Sequence, residues 1–318
     1  MRYFVTGATG FIGGRLARQL LAAGHDVVVL ARDTAKASEL AAKGARVVRG
    51  DVTDKESMRA PMTGADGVFH VAGWYKVGRK HREACQRVNV DGTRNVLGLM
   101  QELRIPKGVY TSTVGVFGDT RGKVVDESYR PDGRRMPTAY ERTKWSAHYE
   151  VAEPMMKRGL PLVIVQPGVT YGPGDSSPIG DAFRAYLRRK LRGIPRTASY
   201  CWGHVEEMAH AHFLAMEKGR PGESYVIAGE PCTLVAAFEL AERITGIPPP
   251  RMRPSPGFLR FLGAITGSEL LRAAPATYLA SSAKAKRELG LVHRPLEEGL
   301  RETLLHEMKQ LGLARPRT

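Results

Sequence analysis

Between an apolar run, Tyr3, Phe4 and Val5, and an amphipathic run in which Phe11, Leu16, Leu20 and Leu21 recur at helical spacing, lies Thr6-Gly7-Ala8-Thr9-Gly10-Phe11-Ile12-Gly13. A strand must turn there directly into a helix, which Gly24 is suited to end. Glycines three apart in such a turn let the backbone approach a pyrophosphate whose charge rests on the helix N-terminus. The spacing differs from GxGxxG, and tight turns also use glycine for conformational reasons alone. Taken by itself, the turn makes Gly7, Thr9, Gly10, Phe11, Ile12 and Gly13 candidate phosphate contacts.

The first half of the chain goes on alternating short apolar strands with longer amphipathic segments, the pattern of an α/β doubly wound parallel sheet. Strands are expected at 27–30, 46–48, 68–71, 108–112, 162–165 and 224–227. Thr53 and Glu56 read as a capping box opening a helix. Further helices are expected at about 83–104, 140–157, 179–191 and 206–218. The loop 118–137 is rich in charge and glycine and long enough to be functional. From Pro231 onward helices dominate, punctuated by Pro248-Pro249-Pro250 and closing with Leu296, Leu300, Leu304, Met308 and Leu311 on one face. The 318 residues suffice for one large α/β domain and a smaller, mostly helical C-terminal lobe.

The 48 basic and 32 acidic residues leave a net charge of +16. Such an excess favours polyanionic or anionic small-molecule partners. The basic residues are spread out, with modest concentrations at 76–87, 121–135 and 184–196. No basic region with interleaved aromatics, zinc-finger spacing or helix-turn-helix spacing is present, which argues against nucleic acid. No apolar run reaches the roughly 18 residues needed to span a bilayer; the nearest, 258–265, is broken by Arg260. The N-terminus enters its first strand directly, so no signal peptide is expected. Cys85, Cys201 and Cys232 form no CxxC pair, which fits a reducing cytoplasm. His204, His210 and His212 do not share one helical face, and His306-Glu307 lacks the second histidine of HExxH, so no metal is expected.

Dinucleotide folds usually carry a carboxylate at the end of the second strand for the ribose hydroxyls, whereas an arginine nearby suits a 2′-phosphate. Here that strand ends Leu30-Ala31-Arg32. Arg32, with help from Lys36, therefore favours NADP(H) over NAD(H). Asp33 caps the next helix instead. In Tyr140-Glu141-Arg142-Thr143-Lys144, the tyrosine and lysine lie four apart on one helical face. A neighbouring ammonium would lower the phenol's pKa and make Tyr140 usable in proton transfer.

In combination these stretches resemble the extended short-chain dehydrogenase/reductase family, also called the NAD-dependent epimerase/dehydratase family. The match runs in order through Thr6 to Gly13, Gly50-Asp51-Val52, Phe69-His70-Val71-Ala72-Gly73, Asn89-Val90-Asp91-Gly92-Thr93, Tyr110 to Gly118, Tyr140 to Lys144 and Pro167 to Asp175. Within the family the sequence is similar to dihydroflavonol-reductase-like members and hopanoid-associated sugar epimerases. The resemblance implies a Rossmann domain over 1–168 and about 199–230, and a substrate lobe over about 169–198 and 231–318. It implies that Asp51 and Val52 meet the adenine, that Val71, Ala72 and Gly73 line the cofactor cleft, and that Pro167 and Val169 pack by the nicotinamide. Lys144 would also hold the nicotinamide ribose. Thr113 would take the place of the family's substrate-orienting serine; Ser112, the other hydroxyl at hand, points the opposite way on the strand. Asn89 either ties a helix to a neighbouring strand or joins a proton relay. Trp74, Tyr75, the 118–137 loop and Tyr171 with the region after it are the candidate substrate contacts.

The expected activity is hydride transfer between NADP(H) and a carbonyl or alcohol, with Tyr140 as general acid/base, Thr113 holding the oxygen and Lys144 tuning the phenol. A nucleotide-sugar epimerase or dehydratase of the same fold and a non-catalytic dinucleotide sensor are the alternatives. The substrate would be a small carbonyl, alcohol or sugar-like molecule. A homodimer through the helices near 83–104 and 140–157 is implied by the resemblance.

Overall fold

The computed structural model describes residues 1–76, 78–133 and 136–314. Arg134 and Arg135, in the 118–137 loop, lie outside the described residues. Eleven strands are named in chain order among them: β1 (Arg2–Thr6), β2 (Asp26–Ala31), β3 (Arg46–Arg49), β4 (Gly67–His70), β5 (Gly108–Thr111), β6 (Leu162–Pro167), β7 (Val169–Tyr171), β8 (Ser199–His204), β9 (Ser224–Ile227), β10 (Pro231–Thr233) and β11 (Thr277–Tyr278). Seven of them form one sheet in the order β3-β2-β1-β4-β5-β6-β9. Every pairing in it is parallel.

Such a sheet is buried on both faces, which is why β4, β5 and β6 read as unbroken buried runs. On one face lie the helices Phe11–Ala22, Val205–Glu217 and Ala283–Leu289, contributing Leu16, Leu20, Met208 and Leu289 to a core with Val5, Val29 and Phe69. On the other lie Lys55–Met62 and Gly92–Glu102, contributing Met58, Val96 and Leu99 beside Phe4, Val28 and Tyr110. The doubly wound sheet expected from the alternating pattern is what forms. Chain order reverses between β1 and β4, and ligands of open α/β sheets bind at such a switch point, outside the strands' carboxyl ends.

Two expected helices form with an added feature. The 83–104 helix runs as Arg82–Cys85, a π turn at Gln86–Asp91, and Gly92–Glu102; the 140–157 helix runs as Ala139–Ser146, a π turn at Ala147–Ala152, and Glu153–Lys157. The capping box at Thr53 and Glu56 does not form. Asp54 is the cap, accepting from the Ser57 N–H at 3.4 Å, because the Asp51 carboxylate already takes the Thr53 N–H (2.9 Å) and hydroxyl (3.0 Å).

The C-terminal lobe adds a second, small sheet that the sequence pattern does not show. In it β8 pairs with β10 antiparallel and with β7 and β11 in parallel. Helices Pro178–Leu187, Leu234–Thr245 and Leu296–Gln310 pack around a core of Phe183, Trp202, Phe238, Leu300 and Leu304. The expected stripe Leu296, Leu300, Leu304, Met308 and Leu311 faces this core. No described helix is long and apolar enough to cross a membrane.

Candidate functional site

At the end of β1 the backbone of Gly7 takes φ +75°, a conformation that favours glycine. A Cβ on Gly7 would stand 2.5 Å from the Ala72 nitrogen, and one on Gly13 would stand 2.3 Å from the Gly7 carbonyl oxygen. Both residues are therefore compelled by close approach of backbone. The Gly10 N–H donates to the Gly7 carbonyl at 2.9 Å, and Gly10 caps the Phe11–Ala22 helix with no side-chain hydrogen bond and no acidic residue in the first turn. The first-turn N–H groups, including those of Phe11, Ile12 and Gly13, keep their capacity for an anion. Thr9 and Gly10 are exposed, so an anion can reach them. This cradle fits the pyrophosphate of a dinucleotide.

Arg32 and Lys36 are both exposed just beyond β2, and Asp33 caps locally, accepting from the Ala35 N–H at 3.1 Å as expected. Asp51 is half-buried beyond β3, with its N–H on the Ser57 hydroxyl at 3.1 Å. Val52 is buried, and its carbonyl accepts from Asn95 at 3.0 Å.

The loop after β4 is locked to β1 by a chain of polar contacts. The Thr6 hydroxyl lies 2.9 Å from His70 Nδ1 and accepts from the Ala72 N–H at 3.2 Å, while His70 Nε2 lies 3.0 Å from the Thr93 hydroxyl. Burial, aided by the Lys144 charge, brings the His70 pKa down to about 3, so the ring stays a neutral connector. These contacts hold Val71, Ala72 and Gly73 against the glycine turn. Asn89 fixes the next stretch. Its Oδ1 accepts from the Trp74 N–H at 2.7 Å, and its Nδ2 donates to the Trp74 carbonyl and the Thr143 hydroxyl, both at 3.0 Å. Asn89 thus ties the Trp74 loop to the Ala139–Ser146 helix.

That helix begins with a capping box the sequence reading missed. Thr138 accepts from the Glu141 N–H at 3.2 Å, and the Glu141 carboxylate accepts from the Thr138 N–H at 3.0 Å. Tyr140 is thereby placed in the first turn. Its hydroxyl lies near the Thr113 side chain, whose Oγ1 accepts from the Gly115 N–H at 3.1 Å. Ser112 points away, as strand alternation requires, with its hydroxyl 2.8 Å from His148 Nδ1.

Lys144 is buried, and its ammonium donates to the Thr111 carbonyl at 2.7 Å and the Tyr110 hydroxyl at 3.1 Å. Burial brings its pKa down to about 7. The Tyr140 phenol is pushed up to about 12 by desolvation, with the Thr113 contact opposing the rise. The expected lowering of the phenol by its lysine neighbour is therefore not found: the ammonium is engaged with Thr111 and Tyr110, and desolvation of the phenol dominates.

Pro167 ends β6 and Val169 opens β7, half-buried. Between them, a Cβ on Gly168 would stand 2.3 Å from the Cys201 carbonyl oxygen, so the two sheets meet here through glycine. Trp74 is half-buried, and its indole N–H has no partner among the described residues. Tyr75 is exposed, its hydroxyl 3.0 Å from that of Ser176. Tyr171 does not join them. Its ring is 2% exposed in the lobe core between Trp202 and His204, so it packs rather than faces a substrate.

Two long-range clamps beside Tyr140 had no sequence signal. The Tyr278 hydroxyl donates to Glu141, and Glu269, buried at the start of the Glu269–Ala273 helix, accepts from Arg82 (2.9 Å), Arg142 (3.4 Å) and the Ala139 N–H (3.3 Å). Burial would raise the Glu269 pKa, yet Arg82, the Ala139 N–H and Arg142 hold it below the ordinary carboxylate value. Of the histidines, His212 binds the Met208 carbonyl and the Thr111 hydroxyl, His204 is buried against Tyr171, and His210 is exposed.

A model of the NAD dependent epimerase/dehydratase family matches residues 3–228. The chain belongs to this family. A 4-hydroxy-2-methyl-3-oxo-4-farnesyl-3,4-dihydroquinoline-1-oxide ketoreductase from Stigmatella aurantiaca is 32% identical, over 92% of this chain and 92% of its own length. The crystal structure of gox2253 superposes with a TM-score of 0.86 at 29% identity, covering 98% of each chain. UDP-glucose 4-epimerase from Thermotoga maritima gives a TM-score of 0.79 at 23% identity over 98% of this chain and 100% of its own, a likeness of fold alone. As a member of the epimerase/dehydratase family the chain is an NAD(P)-dependent enzyme, of a family that holds both reductases and epimerases.

Proposed function

We propose that the chain is an NADP-dependent reductase that interconverts a carbonyl and an alcohol on a small molecule. The observation that carries this reading is that the Tyr140 phenol stands near the Thr113 side chain, just beyond β5. Two neighbouring hydroxyls can both reach one substrate oxygen. With its pKa near 12, Tyr140 is protonated at neutral pH, the form that reduction requires. The ketoreductase relative supports net reduction.

The dinucleotide would be held by the glycine turn at its pyrophosphate and by Asp51 and Val52 at its adenine. Val71 to Gly73, Asn89, Pro167 and Val169 would line the rest of the cleft. Arg32, exposed where the usual carboxylate is replaced by Ala31, would take the 2′-phosphate, and Lys36 stands exposed near it. When bound, the nicotinamide supplies or accepts a hydride. Tyr140 passes its phenolic proton to the substrate oxygen as the carbonyl becomes an alcohol, and takes it back in reverse. Thr113 donates to the same oxygen and orients it. Lys144, which supports the strand through Thr111, would also hold the ribose. Trp74 and Tyr75 would meet the substrate.

The test is a screen of aldehydes, ketones and nucleotide sugars with NADPH, followed at the nicotinamide absorbance. Net oxidation of NADPH by a carbonyl supports reduction; conversion of a nucleotide sugar without net NADPH loss would assign epimerisation instead. Binding without turnover of any of them would favour a sensor. We further propose a cytoplasmic homodimer through the helices near 83–104 and 140–157, for which sedimentation at micromolar concentration should show twice the chain mass.

A further inference from the structure

The helix Pro256–Ile265 turns its apolar residues the wrong way for a helix packed on protein. Leu259 and Gly263 face inward and are buried, whereas Phe258, Phe261 and Ile265 are 56%, 65% and 67% exposed. Spacings of three and four put those three side chains on one stripe. Arg260 does not interrupt it, because its guanidinium turns to Asp119 at 3.3 Å. Met252 before the helix and Leu270 after it, 55% and 50% exposed, add to the apolar surface. Single exposed apolar residues are ordinary, but five within one short stretch are not.

Charge says what kind of surface would cover the stripe. The Ile194 and Arg196 N–H groups donate to the Met252 and Pro254 carbonyls at 3.1 and 3.2 Å, so 188–196 runs beside 251–254. These segments carry Arg188, Arg189, Lys190, Arg192, Arg196 and Arg251, all exposed and none paired with a carboxylate among the described residues. No Asp or Glu occurs from 182 to 205 or from 244 to 268. A second copy docked on this stripe would set these cations against their own counterparts. An acidic phospholipid surface offers phosphates to the arginines and an acyl boundary to the aromatic stripe.

We propose that the chain binds peripherally to anionic phospholipid membranes, with the Pro256–Ile265 helix lying in the interface. Glu269, four residues beyond that helix, accepts from the Ala139 N–H, so the chain leaving the docked helix is tied to the start of the helix that carries Tyr140. The docking does not depend on what the cleft catalyses.

The experiment is co-sedimentation of the full chain with vesicles of phosphatidylcholine alone and of phosphatidylcholine with phosphatidylglycerol. Binding to the anionic vesicles should exceed that to neutral ones by about tenfold or more and fall as salt is added. Phe258→Ser, Phe261→Ser and Ile265→Ser combined, at exposed positions and with an unchanged thermal midpoint, should weaken anionic-vesicle binding by about tenfold or more. Arg189→Glu with Arg192→Glu should weaken it with the stripe intact. No binding to anionic vesicles in dilute buffer, or undiminished binding by the triple-serine variant, overturns the proposal. So does self-association that the serines abolish without any vesicle binding, which would assign the stripe to a second copy.

Discussion

Gly7 and Glu269 each join two distant stretches of chain, and they do so by different means. Gly7 lets the β1 turn close directly on the Ala72 backbone, with no room for a Cβ, while the neighbouring Thr6 hydroxyl takes the Ala72 N–H. Glu269 joins Arg82, Arg142 and Ala139 through its side chain, and Glu141 meets Tyr278 in the same way. A contact made by backbone admits one residue type and suits a ligand group shared by every dinucleotide, the role proposed for this turn. A contact made by side chains can be rebuilt from other residues, so the region around Tyr140 is less constrained in residue type than the glycine turn.

The sharpest break between the two sides is expected from Tyr140→Phe, which removes the proton without touching the cradle. Turnover should fall about 10²- to 10⁴-fold while cofactor affinity, read by fluorescence titration, stays within about twofold; undiminished turnover would falsify the proton-transfer role. The pH profile sharpens the same point. Alcohol oxidation needs the phenolate, so with a pKa near 12 its rate should climb about tenfold per pH unit through the mildly alkaline range, above the Lys144 titration near 7, while reduction does not rise with it. A plateau in oxidation near neutrality would show instead that the phenol is tuned down during turnover.

Gly13→Ala attacks the backbone side. A Cβ 2.3 Å from the Gly7 carbonyl must open the turn, costing about 1–3 kcal/mol and hence roughly ten- to hundredfold in cofactor affinity. Unchanged affinity would show that the cradle can yield. Arg32→Ala should weaken NADPH by about tenfold, the loss of one charge-assisted phosphate contact, and leave NADH alone; parent affinities that are already equal would sink the NADP assignment. Glu269→Gln should have the smallest effect. It keeps the shape and removes the charge facing two half-exposed arginines, so stability should drop by about 1 kcal/mol in thermal denaturation. Substrate KM should move, and cofactor affinity should not.

The division also explains what could be read from residues alone. Central strands buried on both faces must be apolar throughout, and a turn with no room for side chains must carry glycine, so the sheet and the cradle were legible. The Tyr140, Lys144 and Thr113 constellation was legible through its spacing and order, but its electrostatics were not. Which partner Lys144 meets depends on Tyr110 and Thr111, 34 and 33 residues away. Strands β7, β10 and β11 span three residues or fewer, too short for any periodicity to register. Tyr171, a candidate substrate contact by sequence, is taken up by the lobe core, which no local pattern marks. Glu141 and Glu269 carry no local signal, since their burial is set by partners far along the chain.

The π turn at Gln86–Asp91 holds Asn89, whose amide bridges Trp74 and Thr143. A π turn spends one more residue on a single revolution than its surroundings do, so it amounts to an insertion absorbed without breaking the rod. Removing one residue there would make a more regular helix and a worse enzyme. Everything on the N-terminal side would rotate by about a quarter-turn relative to Gly92–Glu102, and the amide would lose its bridge. An irregularity of this kind is a length constraint: along this segment the number of residues, as much as their identity, is part of the site.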